Sequence, residues 1–344
     1  MANLNSFDLK AVEYNGLINE DVMQRIWDIS SIPLDFTESI SSDSVTNSYT
    51  EYTQDKLQAV NLSNAAIDGS DQNNNNDTNT GTRVGSHCQI STKVVSVSER
   101  ADNSDTIGRS KELPYQVMMR QRELHRDVEA IMLTQQASVA DNGSNVAGLS
   151  AGFASWLTTN TFRGAGGADG GFASGVTAAP TVGTVRALSE TLVRDCAQSV
   201  WEQGGNPTTL MSIPAVIRSL SSYMFTSTAS VATLTSDVRE KTSAATATGS
   251  VNLFITDFGV TLMMIANRLQ PVVDDTADLE NANLYCYDPE YVRQGFLSGY
   301  RVEPLAKVGL ADTRLMAVDW TLKVLNEAAH GVIADIDYTL AVVA

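Results

Sequence analysis

Two strand-like segments on either side of a polar tip constrain the fold of this chain more than any other feature. The composition is typical of β-strands from Val45 to Val60 and again from His87 to Arg100. Between them lie Asp68-Gly69-Ser70-Asp71-Gln72 and a run from Asn73 to Asn76, which are typical of a flexible turn. The simplest interpretation is one long β-hairpin.

The length of this hairpin indicates what it contacts. Arms of about 15 residues, at about 3.3 Å per residue, would reach roughly 50 Å, which is longer than a usual strand. An isolated two-stranded ribbon is only marginally stable in water. We therefore expect the hairpin to lie on another surface, and the most available surface is a neighbouring copy of the chain.

A long helix is predicted directly after the hairpin, from Lys111 to about Val139, with Pro114 in its first turn, where proline is tolerated. Its apolar stripe, which predicts the buried side, is Val117, Leu124, Val128 and Ile131. His125 and Glu129 are spaced for a pair on the solvent side. Residues 141–180 are rich in Gly, Ala, Ser and Thr, which predicts a mobile connection.

The second half of the chain predicts a mixed α/β unit. Helix, strand and helix are expected at Val185 to Val200, Thr208 to Ile213 and Pro214 to Met224. Cys196 lies on the apolar stripe of the first of these helices and is best explained as a core residue. Two apolar runs around a short turn, Val251 to Thr256 and Val260 to Ala266, predict a hairpin buried on both faces.

The N-terminal end of the chain has a weak secondary-structure pattern, and the C-terminal end has a strong one. Residues 1–44 are polar and acidic, with one amphipathic stretch in which Asn19 can cap a short helix. From Met316 to Val324, and again from Val332 to Val342, apolar residues alternate with polar or small ones. We expect these last two segments to form an antiparallel pair with one buried face.

Composition excludes several classes of protein. Forty acidic and twenty-three basic residues give a formal charge of -17, which disfavours adhesive binding to nucleic acid or to an anionic membrane. The three cysteines, Cys88, Cys196 and Cys286, contain no CxxC pair, so we interpret them as reduced thiols. The first residues lack the features of a signal peptide, and we expect a cytosolic protein.

One motif points to an enzyme. Gly148-Leu149-Ser150-Ala151-Gly152 matches the GxSxG pattern of a serine hydrolase. His330, with Asp312 or Asp319, would complete a catalytic triad. A nucleophile elbow needs a buried strand that leads into the serine, whereas the residues before this motif have the composition of a loop. A serine hydrolase using Ser150 is therefore the less favoured interpretation.

Other motifs have simpler explanations. Asp257-Phe258-Gly259 copies the kinase metal-binding triplet, but no other kinase motif accompanies it, and it fits the tip of a hairpin. The glycine run from Gly164 to Gly171 lacks the spacing of a nucleotide-binding loop. His87 and Cys88 are neighbours in a strand and would point to opposite faces, which prevents joint metal binding. We expect no catalytic, cofactor-binding or metal-binding residues.

Several segments together resemble one known family. They are, in chain order, Tyr49 to Leu57, Glu112 to Gln116, Arg122 to Leu124, Arg126 to Glu129, Ala147 to Leu149, Trp156 to Asn160, Trp201 to Pro207, Tyr287 to Val292, Leu305 to Gly309 and Asn326 to Gly331. In this order they resemble the major capsid proteins of tailed bacteriophages, in the family typified by phage SU-ten. The resemblance covers about residues 45 to 344.

The resemblance implies an α+β fold of the Hong Kong 97 type. It implies, in chain order, an N-terminal arm, an extended β-hairpin loop, a peripheral domain with a long spine helix, and an axial α/β domain. The corresponding ranges are 1–44 for the arm, 45–110 for the extended loop, 111–180 with 301–344 for the peripheral domain, and 181–300 for the axial domain. Lys56 and Lys93 are the only lysines in the hairpin, and we expect non-covalent cohesion between copies.

The implied function is that of a major capsid protein and not of an enzyme. Copies are expected to form hexamers and pentamers of an icosahedral shell around packaged double-stranded DNA, without sequence-specific binding to it. Portal and scaffold proteins, and a decoration protein, are further expected partners, with no cofactor and no membrane. Assembly is expected in the host cytoplasm, and the final location is the virion head. An encapsulin-like compartment protein is the alternative with the same fold.

Overall fold

The computed structural model describes residues 33–57, 60–63, 65, 68–69, 81–104, 108–226, 252–275, 278–307 and 309–343. In the ranges 224–226, 273–275 and 278–280 it describes the backbone alone. The short helix predicted after Asn19 and the polar tip from Asn73 to Asn76 lie outside the described residues.

The described chain contains both helices and strands. The helices are α1 Asp35–Ser39, α2 Glu99–Asn103, α3 Glu112–Met132, α4 Phe153–Trp156, α5 Glu190–Glu202 and α6 Pro214–Thr226, with 3₁₀ turns at Pro289–Tyr291 and Glu327–Ala329. The strands are β1 Ser41–Ser44, β2 Tyr49–Gln54, β3 Thr82–His87, β4 Gln89–Ser98, β5 Thr161–Phe162, β6 Gly171–Ala173, β7 Val176–Ala178, β8 Thr209–Ser212, β9 Leu253–Ile255, β10 Thr261–Ala266, β11 Val273–Asp275, β12 Asp278–Tyr287, β13 Val292–Pro304, β14 Ala311–Val324 and β15 Gly331–Asp337.

The first sheet has four strands in the order β1-β13-β14-β4. Helix α3 packs against one face of it, and a first core fills the space between them. The helix contributes Leu124, Val128 and Met132, and the sheet contributes alternate residues of β14 that include Trp320. The apolar stripe predicted for the long helix is confirmed. The helix ends at Met132, earlier than predicted, where the Thr134 hydroxyl donates to the Ile131 carbonyl.

The long hairpin predicted from the sequence is wrong in its pairing. Only β2 and β3 pair with each other, over six residues from Tyr49 with His87 to Gln54 with Thr82. β4 instead pairs with β14 along its whole length of ten residues. Alternate side chains of β4, among them Val95 and Val97, reach the first core. This core offers them a more apolar surface than β2 would. Burial of apolar surface therefore decides the pairing.

The second sheet has seven strands in the order β5-β15-β12-β8-β10-β9, with β11 paired to β12. α5 and α6 contribute to a second core on one face, and the opposite face of its middle strands reaches the first core. The antiparallel pair predicted for the C-terminal segments is wrong, because β14 and β15 lie in different sheets. Six of the seven residues of β15 are buried, so it is covered on both faces.

The segment at residues 141–180 is not the mobile connection that its composition predicts. It contains α4 and three short strands. Phe153, Ala154, Trp156 and Leu157 are buried in the first core. Small residues are needed here for close approach: an added Cβ at Gly152 would lie 2.0 Å from the Thr134 carbonyl oxygen. Close packing, and not flexibility, accounts for the composition.

Two details of the second unit also differ from prediction. α5 begins at Glu190, not Val185, because the Ser189 hydroxyl accepts the Thr191 amide and caps the helix there. β9 and β10 do form a hairpin around Asp257-Phe258-Gly259, as expected, but the described residues bury only one of its faces.

The C-terminal strands are divided between the two sheets. β13 runs through residue 300 as one strand of the first sheet, and β15 belongs to the second sheet. The division into arm, extended loop, peripheral domain and axial domain stays a prediction.

Candidate assembly surfaces

The β2–β3 hairpin is held to the body by a partly buried tyrosine. The Tyr52 hydroxyl donates to the Val324 carbonyl at 2.8 Å and accepts from the Val324 backbone amide at 3.0 Å. The side-chain amide of Gln54 donates to the same carbonyl at 3.2 Å. Burial raises the pKa of the Tyr52 phenol far above its ordinary value, with only the hydrogen bond to Val324 opposing it. The hairpin therefore leaves the body from a fixed starting point.

Beyond this base the loop exposes apolar side chains. Leu57 and Leu62 are each 94% exposed, and Val60 is 86% exposed. Three apolar residues this open lie within six positions of one loop, which differs from the single scattered apolar residues common on surfaces. Such a segment is suited to contact with another molecule.

The serine of the GxSxG motif is a structural residue. Ser150 is 1% exposed, and its hydroxyl accepts the Leu322 amide at 3.0 Å and lies 3.3 Å from the Thr321 hydroxyl. Its own amide donates to Gln89, and its carbonyl accepts from Gln136. β4 ends opposite Trp320, so the last residues of β14 have no strand to pair with on that side. Ser150 and Tyr52 supply hydrogen-bond partners for backbone groups of these residues.

The residues proposed as its triad partners have other surroundings. His330 is fully buried, its Nδ1 accepts the Asp288 amide at 3.3 Å, and its ring contacts Phe153 edge-on. Burial lowers the pKa of His330 to about 3, so the ring is neutral. Asp312 lies near Arg314 at the surface, and burial raises the pKa of Asp319. Among the described hydrogen bonds of Ser150, none involves His330 or either aspartate.

The remaining motif residues also have structural environments. Asp257 pairs with Arg194 at the tip of the β9–β10 turn. His87 packs on Tyr49, while Cys88 is buried and contacts the Asn47 carbonyl through its sulfur at 3.6 Å.

Cys196 lies in the second core, as predicted. A hydrogen bond with Cys286 and burial raise the pKa of its thiol well above the usual range.

Within the described residues, no group of three or more His, Cys, Asp or Glu side chains is placed to hold a metal ion. In the same part of the chain no helix is long and apolar enough to cross a membrane.

Glu129 is the residue that the sequence analysis most clearly missed. It does not form a surface pair with His125; that ring stacks on Tyr300 with a centroid distance of 3.8 Å. The Glu129 carboxylate is fully buried and accepts the amides of Phe36 and Thr37, at 3.3 and 3.2 Å, and the Asn267 side-chain amide at 2.7 Å.

This carboxylate joins the first turn of α1, the last turn of α3 and the residue after β10. Burial raises its pKa, and the hydrogen bonds from Asn267, Thr37 and Phe36 oppose that rise. No periodicity signal could have identified it, since its position at the margin of the apolar stripe fits a solvent-facing residue equally well.

The N-terminal segment is held to the body at two further points. The Phe36 ring lies 5.6 Å from both the Phe153 and the Tyr287 rings in the first core. β1 then adds to the first sheet as a strand parallel to β13, and Asp43 pairs with Lys323 at 2.9 Å. α1 is therefore fixed to the first core and β1 to the first sheet.

A scan against family models gives a match to the family described as SU10 major capsid protein over residues 4–337. A search of curated protein sequences finds no match.

Solved structures with a similar fold cover nearly all of this chain. A chain of the holo-SrpI encapsulin complex from Synechococcus elongatus PCC 7942 has a TM-score of 0.56 at 10% identity, covering 94% of this chain and 95% of that one. A chain of Mycobacterium phage Bobi has 0.56 at 12%, covering 98% and 99%. A chain of the capsid of a native GTA particle has 0.54 at 12%, covering 96% and 99%. At such identities the likeness shows the fold alone, and it confirms the predicted Hong Kong 97-type α+β fold.

Proposed function

The chain belongs to the SU10 major capsid protein family, and on this premise we propose that its copies assemble as hexamers and pentamers of an icosahedral phage head around packaged double-stranded DNA. The match over residues 4–337 carries this conclusion, because it spans both sheets and both cores. The protein is a shell-forming major capsid protein, and its chemistry is the burial of repeated interfaces between copies.

The hairpin loop is the first contact that we assign to assembly. Its base is fixed to β14 through Tyr52, and its apolar residues Leu57, Val60 and Leu62 are open to solvent. A rigid base and an apolar end suit a loop that lies on a neighbouring subunit, where burial of each large apolar side chain contributes about 1.5–3 kcal/mol. The N-terminal arm would overlap a neighbour in the same way.

The charge of the chain fits contact with DNA that is weak and independent of sequence. A formal charge of -17 disfavours binding of phosphates to the shell wall, although ordinary solubility explains the same value. Portal and scaffold proteins, and a decoration protein, complete the set of partners that we propose. Assembly takes place in the host cytoplasm, and the mature location is the virion head.

Catalysis is not part of this proposal. Ser150 would be the nucleophile of a hydrolase, but its hydroxyl is buried and occupied by the Leu322 amide. The encapsulin-like alternative shares the fold, as the similarity to the Synechococcus chain indicates. It receives less support because the family that matches is a capsid family.

Electron microscopy of the overexpressed full-length protein tests the proposal. We expect rings or closed shells, and uniform monomers under all assembly conditions would contradict a capsid function. The nucleic-acid content of particles purified from phage-infected cells separates the two shell functions. Packaged double-stranded DNA is expected for a phage head, whereas protein cargo without DNA would favour the encapsulin-like alternative.

A further inference from the structure

Within the part of the chain that the structure describes, the β9–β10 hairpin at the end of the second sheet is covered on one face only. Phe254, Leu262 and Met264 point into the second core and are at most 7% exposed. On the opposite face, Leu253 is 50% exposed, Ile255 is 65% exposed and Met263 is 52% exposed.

These three side chains form one continuous patch, which we call the open face of the hairpin. Met263 pairs directly with Leu253 across the two strands, and Ile255 pairs with Thr261 two positions further along the same face. Residues directly opposite on one face of an antiparallel pair have Cβ atoms about 5 Å apart, so their side chains are in contact range.

The open face continues a face of the sheet that is buried elsewhere. Met211 on β8 is fully buried in the first core, and its partner Ile265 on β10 packs against the same core. The first core covers this face only as far as Ile265, and β9 is the last strand of the sheet in the described chain. The hairpin therefore extends past the subunit's own core with an apolar face and a strand edge.

We propose that this open face, formed by Leu253, Ile255 and Met263, is a contact surface for a second copy of the chain. The inference rests on the proposed function, since a shell-forming chain meets other copies of itself on several sides. The sequence of the hairpin is apolar on both faces, a pattern typical of strands covered on both sides. Since the described residues of the chain cover only one side, assembly is the step that covers the other.

The surroundings of the patch fit the anatomy of such an interface. Thr261, which pairs with Ile255 on the same face, lies beside the three apolar residues and contributes to a polar rim. In a closed ring the contact is heterologous, so the open face of one copy meets a different surface of the next.

Thiol labelling tests the proposal, because all three natural cysteines are buried and give a low background. Full-length chains carrying Ile255→Cys or Met263→Cys are labelled with a maleimide, first as unassembled subunits and then as assembled shells. We expect rapid labelling of the subunit and labelling slower by about tenfold or more in the shell, because the core of an interface excludes water. The unsubstituted chain measures the background in both states.

Three results would overturn the proposal. Equal labelling rates in subunit and shell would show that the open face stays open, although the chain still assembles. Slow labelling already in the subunit would show that another part of the same chain covers the patch. Failure of the unsubstituted chain to form any oligomer would contradict the proposed function itself and is distinguishable from the first two results.

Assembly of a polar variant gives an independent measurement. Ile255→Ser with Met263→Ser should leave the thermal midpoint of the subunit nearly unchanged, because both side chains are already more than half exposed. We expect a rise of about tenfold or more in the protein concentration needed for assembly. A tenfold rise corresponds to a loss of about 1.4 kcal/mol of association free energy. Assembly at the same concentration as the unsubstituted chain would count against the proposal.

Discussion

Single residues hold together parts of this chain that are far apart in sequence. Glu129 is buried in the last turn of α3, yet its carboxylate accepts hydrogen bonds from α1 and from the residue after β10. A buried charge is tolerated only where such bonds offset the loss of hydration. Ser150 has a comparable role at the unpaired end of β14. Both residues look like something else in the sequence, one like a surface acid and the other like a nucleophile.

Loss of the Glu129 carboxylate should destabilise the subunit strongly. Glu129→Ala leaves the Phe36 and Thr37 amides and the Asn267 side chain without their acceptor, and each unsatisfied buried group costs about 1–3 kcal/mol. We expect urea denaturation of unassembled subunits to show a free energy of unfolding lower by about 2–4 kcal/mol.

A matched control lies on the same helix. Glu123 pairs with Arg120 at the surface, and a surface pair contributes about 0–1 kcal/mol. Glu123→Ala should therefore change the free energy of unfolding by less than Glu129→Ala does. Equal effects of the two substitutions would show that Glu129 does not hold the three segments together.

His330 predicts a dependence of stability on pH. Burial lowers its pKa from 6.5 to about 3, so the unfolded chain binds a proton that the folded chain refuses. The neutral ring therefore contributes stability that is fully present above pH 6.5 and is lost as the pH falls toward 3, by about 1.4 kcal/mol per pH unit.

Comparison with a variant isolates this contribution. His330→Asn removes the titrating group and keeps an acceptor for the Asp288 amide. Between pH 7 and pH 5, we expect the free energy of unfolding of the natural chain to fall more steeply than that of the variant. Parallel pH profiles from chemical denaturation would contradict a buried neutral His330.

At the scale of elements, pairing follows the apolar surface and not the order along the chain. β4 leaves the neighbouring β3 and joins β14, where its alternate side chains enter the first core. β14 in turn separates from β15, which is buried on both faces of the other sheet. The short β2–β3 ribbon that remains depends on Tyr52 for its attachment to β14.

Removal of the Tyr52 hydroxyl should loosen the hairpin at its base. Tyr52→Phe leaves the buried Val324 amide without its partner, at a cost of about 1–3 kcal/mol, while Gln54 still reaches the Val324 carbonyl. We expect hydrogen exchange of the β2 and β3 amides to become faster. Tyr49→Phe, which removes one hydrogen bond to the Gly175 carbonyl, is the control and should have a smaller effect. Unchanged exchange in the Tyr52 variant would show that the base is held by other contacts.

For the whole molecule, the division between buried and exposed apolar surface indicates what the subunit leaves for its neighbours. Two cores satisfy both sheets and the long helix. Among the apolar side chains of the described residues that remain outside them are those of the hairpin loop and those of the open face of β9–β10. They lie on different sheets, as befits a subunit that must contact neighbours in more than one direction.

The loop surface should affect assembly without affecting folding. A variant with Leu57→Ser, Val60→Ser and Leu62→Ser loses apolar side chains that are 86–94% exposed in the subunit, so we expect its thermal midpoint to stay nearly unchanged. Sedimentation velocity and electron microscopy should show free subunits in place of shells. Asn61→Ser, a polar substitution in the same loop, should assemble normally. Normal shells from the triple variant would exclude the loop as a contact between copies.

The sequence alone determined the family, the α+β class, the long helix with its buried stripe and the hairpin around Asp257. These features depend on local periodicity, on turn residues and on the order of motifs, all of which can be read without knowing distant contacts. It did not determine that β4 pairs with β14, that β14 and β15 lie in different sheets, or that Glu129 and Ser150 are buried. Strand partners and buried polar residues depend on which surfaces meet after folding, and a strand's pattern specifies its faces but not its neighbour. The tertiary structure alone decided that the long ribbon is a six-residue hairpin, with the exposed Leu57, Val60 and Leu62 beyond it.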